Sequence, residues 1–168
     1  MKIRMAFVLV VLALCLSSFV ATAQETATVL TGAELTRVVP TSFYFQGQNA
    51  PTQIRNSAAA RFGTNRHVIV GMVDTSGYAA DVRAKYEGFF ITDSAVEVDG
   101  HDLKTGAYGF GFSDDGNMHV LDLAAKEVLS TSTTKDSSLT RPRPLMMSRS
   151  GDGVRVYSGR DYVTITAK

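Results

Sequence analysis

From residue 67 onward the chain is a run of short apolar segments, each closed off by Gly, Asp, Ser or Pro: "HVIVGMVD", "AVEV", "AYGFGF", "MHVLDL", "EVLSTST", "LMMS", "VRVYS" and "YVTIT". Segments of this length, rich in β-branched and aromatic residues and spaced by turn formers, suit strands joined by tight connections. They leave no room for a helix between successive strands, which a parallel βαβ sheet requires. The pattern predicts a mainly β chain, an antiparallel sandwich or barrel, with one short helix.

That helix is expected in "PTQIRNSAAARFG", residues 51–63. Pro51 suits a first helical position and Gly63 a left-handed end, while Ile54, Ala58 and Phe62 fall on one stripe. Before it, "LTRVVP" and "SFYFQ" read as extended pieces divided by Pro40, which has no N–H to give a ladder. "HVIVGMVD" is apolar almost throughout, so it is expected to be covered on both faces, with the helix on one side. "VRAKYEGFFITD" alternates as a strand does, with a helix through Ala79–Tyr86 as the alternative.

The first residues, "MKIRMAFVLVVLALCLSSFVATAQ", place Lys2 and Arg4 before an apolar run and end on A-x-A at Ala23. This order predicts a cleaved secretory signal over 1–23, cut between Ala23 and Gln24. Ser17 and Ser18 break the apolar run short of the ~18 residues a membrane span needs, so no transmembrane segment is expected in the mature chain. Residues 24–34 read as a flexible arm and 35–168 as a single β-rich domain. The lone Cys15 lies in the signal, which leaves 168 − 23 = 145 residues without a disulfide, destined for the periplasm or the medium.

Charge argues against nucleic acid as a partner. Without Lys2 and Arg4 the chain carries 15 basic and 16 acidic side chains, a formal net of −1. The signs are segregated along the sequence: residues 74–127 hold eleven acids and four bases, whereas 128–168 hold seven bases and three acids. Arg141 and Arg143 alternate with Pro142 and Pro144 in "TRPRPLMMS", an extended segment that reads as a protected edge strand or as a site for a carboxylate, phosphate or acidic sugar.

"GAYGFGFSDDGN", residues 106–117, has glycines where a phosphate loop would, but Asp114 stands in place of the third glycine and no helical pattern follows. Its aspartates lack calcium-loop spacing. A hairpin explains it better. With Asp115-Gly116 as a two-residue turn, Phe112 faces His119, Phe110 faces Leu121 and Tyr108 faces Leu123. A three-residue turn would set Asp122 opposite Tyr108 on an aromatic face, where an unpaired carboxylate is costly, so the first register is expected. Gly109 and Gly111 then mark either close packing by another element or the floor of a groove rimmed by Asp122.

Catalytic motifs are sparse. His67, His101 and His119 have no metal-ligand spacing, no cysteine nucleophile remains after Cys15, and neither "DTSGY" nor "SRSGDG" matches G-x-S-x-G. No metal or cofactor is expected. "VEVDGHDLKTGAY", residues 96–108, resembles a V-x-V-x-G-x-x-L-x-x-G-x-Y pattern of small exported bacterial β-domains of unassigned function, through Val96, Val98, Gly100, Leu103, Gly106 and Tyr108. The resemblance implies a β-sandwich in the bacterial envelope and no catalytic residue.

The resulting expectation is an exported, non-catalytic binding or structural module that holds a small molecule, glycan or envelope protein, with Gly109, Gly111, Asp122, Arg141 and Arg143 as candidate binding residues. The alternative is a small secreted hydrolase or isomerase with a site built from His101 or His119 and neighbouring acids.

Overall fold

The computed structural model describes residues 26–168. The expected signal and its Ala23–Gln24 cleavage point lie outside the described residues. Among the described residues fourteen strands form two open antiparallel sheets, with two short helices. The fold is mainly β and consistent with a sandwich.

The first sheet contains β1 (Ala27–Val29), β2 (Ser42–Phe45), β3 (Gln48–Phe62), β4 (Arg66–Val73), β5 (Gly88–Thr92), β8 (Gly106–Phe112), β9 (Asn117–Leu121) and β10 (Glu127–Ser132). Its order is β1-β3-β4-β5-β8-β9-β10, and β2 pairs with one end of β3. The second sheet contains β6 (Val96–Val98), β7 (His101–Leu103), β11 (Thr134–Lys135), β12 (Arg143–Ser150), β13 (Gly153–Gly159) and β14 (Asp161–Ala167). It runs β12-β13-β14-β6-β7, with β11 added to β14.

Alternation on the strands builds the main core between the sheets. Val68, Val70, Phe90, Phe110 and Val120 from the first sheet meet Val98, Val154, Val156, Val163 and Ile165 from the second. Burying such side chains is worth roughly 1.5–3 kcal/mol each before entropic costs, which makes this layer the principal source of stability. The outer face of the first sheet is also covered: Phe43, Phe45, Tyr78 and Tyr86 pack over Phe89, Val73 and Leu121. Coverage on both faces accounts for the unbroken apolar run of β4.

The expected helix over 51–63 is strand β3. Three successive alanines have high helix propensity, but Ala58, Ala59 and Ala60 are all buried, and Ala60 pairs with Val68 and Ala59 with Ile69. Small side chains fit here because a strand packed on both faces has little room, and tertiary packing outweighs propensity. The cover expected from that helix comes instead from β2 and residues 74–87.

Other boundaries move too. "LTRVVP" is not extended: α1 spans Gly32–Val38 and stops where Val39, the residue before Pro40, must leave the helical region (ψ 122°). The expected arm over 24–34 contains β1, whose Ala27, Thr28 and Val29 pair with Phe62, Arg61 and Ala60. The strand expected over "VRAKYEGFFITD" is cut short: a single helical turn, α2 (Ala80–Arg83), runs into its first two residues, and β5 begins only at Gly88.

The β8–β9 hairpin takes the register opposite to the one expected. Phe112 pairs with Met118, Gly111 with His119, Phe110 with Val120 and Gly109 with Leu121, so Asp114, Asp115 and Gly116 form a three-residue loop. The burial penalty on Asp122 does not arise, because β9 ends at Leu121. The Asp122 carboxylate instead accepts the Ala124 and Lys126 N–H groups, both at 2.9 Å, in the turn to β10.

Candidate functional site

Several concave places among the described residues gather polar side chains, and two of them bear on function. The first lies over the outer face of β8 and β9, beside the three-residue loop. Register sets it up: pairing His119 with Gly111 turns the imidazole away from the aromatic stripe of Phe110 and Phe112 and onto the glycine face. A Cβ on Gly111 would lie 2.6 Å from the Lys85 carbonyl oxygen, so the bare glycine lets the Lys85–Tyr86 backbone rest on the sheet. Gly109 is covered by the Phe45 ring, which stacks on Tyr86 with centroids 3.9 Å apart. Of the two readings of these glycines close packing holds: these two elements fill the place of the groove, and Asp122 serves the turn after β9.

His119 is 5 % exposed and partnered at both ring nitrogens. Nε2 is 2.8 Å from Ser113 Oγ and Nδ1 is 2.7 Å from Glu127 Oε2. Ser113 Oγ also donates to Asp115 Oδ1 and lies 3.2 Å from the Asn117 carbonyl oxygen, while Glu127 is 3.2 Å from Lys85 Nζ. The His119 and Lys85 hydrogen bonds hold the Glu127 carboxyl below its usual range. Together with Arg83, Lys85 and Glu87, Ser113 and His119 line a cleft of about 460 Å³.

Glu87 is the other unusual group in that cleft. Burial raises its carboxyl pKa, the Phe112 N–H donated at 3.0 Å works against the rise, and the nearby Asp114 charge adds to it. A desolvated carboxyl beside an oriented imidazole is the kind of pairing that acid–base chemistry uses.

The second place is the rim where β3 of one sheet approaches β12 of the other. A cleft of about 300 Å³ there is lined by Arg55 and Arg143 above Leu30, Leu35, Leu145 and Met147. Both arginines come from irregular strand. In β3, Thr52 pairs with Val73 and Ser57 with Gly71, so residues 53–56 stand against Met72 alone. In β12, the register slips between Arg143 and Met146. Bulges of this kind re-aim side chains, and here both send a guanidinium to one rim. Neither guanidinium has an ion pair or hydrogen bond among the described residues, and no carboxylate lines the cleft.

Of the candidate histidines His119 lines the first cleft, and of the sequence-predicted binding residues Arg143 lines the second. Arg141 is exposed outside it. His101 is exposed, with Nδ1 3.1 Å from the Asp99 carbonyl oxygen, and His67, near the start of β4, sits 3.1 Å from Asp93. Sequence reasoning misses Arg55, which falls within the segment expected to be helical, and misses Ser113 and Glu127, whose approach to His119 depends on the loop length and a bulge.

Among the described residues no cluster of His, Cys, Asp and Glu has metal-site geometry, and no helix is long and apolar enough to cross a membrane. No protein-family model, curated protein or solved structure matches the chain.

Proposed function

We propose that this chain is an exported binding module of the cell envelope that takes an anionic ligand at the Arg55–Arg143 cleft. The observation that carries the reading is the pair of guanidiniums without partners over a cleft with no acid in its lining. Arginine presents a planar fork of donors that matches a carboxylate or phosphate, and neither guanidinium must first give up an internal partner. Export rests on the charge, apolar and A-x-A order of residues 1–23. The test is titration of the chain with acetate, phosphate and sulfate, followed by amide chemical shifts. Shifts centred on β3 and β12 that vanish in R55A/R143A and persist in R141A support the reading; no saturable shift at any of the three anions ends it.

A second reading, a small secreted hydrolase, is favoured by the Ser113–His119–Glu127 chain of contacts at 2.8 and 2.7 Å. In that chemistry His119 Nε2 takes the Ser113 proton as Oγ attacks an ester carbonyl, and returns it to the departing alcohol. Water then releases the acid from Ser113, while Glu127 orients the imidazole. Asp115 competes for the same hydroxyl proton, so D115N should accelerate turnover where S113A abolishes it. Fluorophosphonate labelling of Ser113, read by peptide mass, decides the matter, and an unlabelled Ser113 rules the hydrolase out.

A further inference from the structure

The Arg55–Arg143 cleft has a second character besides its charge. Its floor is continuous with the inter-sheet core, since Ala58, Leu145 and Met147 belong to both. We infer that its ligand is a free carboxylate carrying a short hydrocarbon chain, with the head on Arg55 and Arg143 and the chain laid over Leu35, Leu145 and Met147. This inference rests on the anion-binding reading above and adds the chemistry of the rest of the ligand.

Three features select this class. A sugar acid needs partners for several hydroxyls, and besides its arginines the cleft offers the side chains of only Thr31 and Ser57 as polar groups. Ser57 Oγ already donates to the Gln53 carbonyl oxygen at 3.0 Å. Hydroxyls set on Leu and Met without partners would lose more by desolvation than they gain.

The size of the cleft sets the length of the chain. About 300 Å³ is at the small end of ligand pockets, which suits a short acyl chain and not a full lipid tail. Met146 and Met147 give that floor an adaptable surface, because an unbranched thioether rearranges with little penalty. A binder for a family of short acyl acids, not for one shape, follows from that adaptability.

The experiment is isothermal titration of the full chain with acetate, butanoate, hexanoate and octanoate, with hexan-1-ol as the uncharged control, on wild type, R55A/R143A and R141A. Each methylene taken from water should tighten binding about fourfold until the cleft is full. Hexanol should bind at least tenfold more weakly than hexanoate, R55A/R143A should lose octanoate at least tenfold, and R141A should match wild type. Acetate binding that depends on both arginines but does not tighten with chain length would overturn the inference and leave the anion-binding reading standing. A chain-length dependence that survives in R55A/R143A would place the chain elsewhere and overturn it too. If none of the acids binds, the inference falls, and the anion-binding reading is then decided by phosphate and sulfate.

Discussion

Glu127 Oε2 reaches within 2.7 Å of His119 Nδ1 because Val128 is pushed out of β10. Leu121 pairs with Glu127 and Val120 with Leu129, so the strand carries one residue too many at this point, and Val128 is 47 % exposed. In a regular strand Glu127 would share the face of Leu129 and enter the core between the sheets. A carboxylate left unpaired there costs several kcal/mol, roughly 2 or more, which is why the bulge matters. It turns the carboxylate over, onto the face of His119.

The pairing has a pH dependence of known sign. The His119 hydrogen bond, followed by that from Lys85, lowers the folded-state pKa of Glu127 below its ordinary 4.5. A carboxyl depressed on folding contributes stability above its unfolded pKa and loses it as pH falls through the folded value. E127Q should therefore have a lower Tm than wild type at pH 7, and the gap should close as the pH is taken below about 4.5. Thermal unfolding across that range checks it; a gap that does not change with pH would show that charge is not what Glu127 contributes.

Glu87 should behave in the opposite way. Burial lifts its folded-state pKa above 4.5, so ionisation at neutral pH works against the fold. Its contribution is fully present below the unfolded pKa and lost as pH rises through the folded one. E87Q keeps an oxygen for the Phe112 N–H and removes the charge. Its Tm should exceed that of wild type at pH 7 and equal it near pH 4, and the same unfolding series reads both variants.

Gly111 and Gly109 predict a graded response to added side chains. At Gly111 the new Cβ meets backbone, the Lys85 carbonyl at 2.6 Å and its carbon at 2.8 Å, whereas at Gly109 it meets the Phe45 ring. A ring can tilt, but a backbone segment held by the Lys85 N–H bond to Val82 and the Glu87 N–H bond to Phe110 cannot move freely. G111A should cost about 1–3 kcal/mol as overpacking, and G109A less. Urea unfolding of the two variants gives the order, and equal losses would mean that the Lys85–Tyr86 segment yields as readily as the ring.

Much of the fold was legible because it depends on patterns local to each segment. Strands β4, β8, β9, β12, β13 and β14 lie where alternation and turn residues place them. The failures share a cause: they depend on what lies across from a residue. Ala58–Ala60 looks helical until both faces of β3 are seen to be packed. The expected β8–β9 turn length rests on the fate of Asp122, and that penalty disappears once the strand stops at Leu121 and the next turn supplies two N–H donors. The candidate sites were the least legible part for the same reason. Arg55, Arg143 and Glu127 reach their places through bulges, which shift the two-residue period by one, and nothing in a single sequence marks where the extra residue will fall.

If the chain is exported and cut as the order of residues 1–23 predicts, the position of β1 limits where the cut can fall. Ala27 is buried, Ala27–Val29 pairs with Phe62–Ala60, and the Ala27 N–H donates to the Asp152 carbonyl at 2.9 Å, tying this strand to the β12–β13 turn of the other sheet. A cut between Ala23 and Gln24 leaves all of those bonds in place. A cut after Ala27 would remove the first pair and the link between the sheets, and a buried Phe62 would lose the neighbour on its free edge. Under that proposal, intact mass of the secreted chain should place the mature N-terminus ahead of Ala27, at Gln24 for the cut that the A-x-A order predicts. A truncated form starting at Thr28 should unfold at a lower Tm than one starting at Gln24, and equal stability of the two forms would show that β1 is dispensable and that the fold places no limit on the site of cleavage.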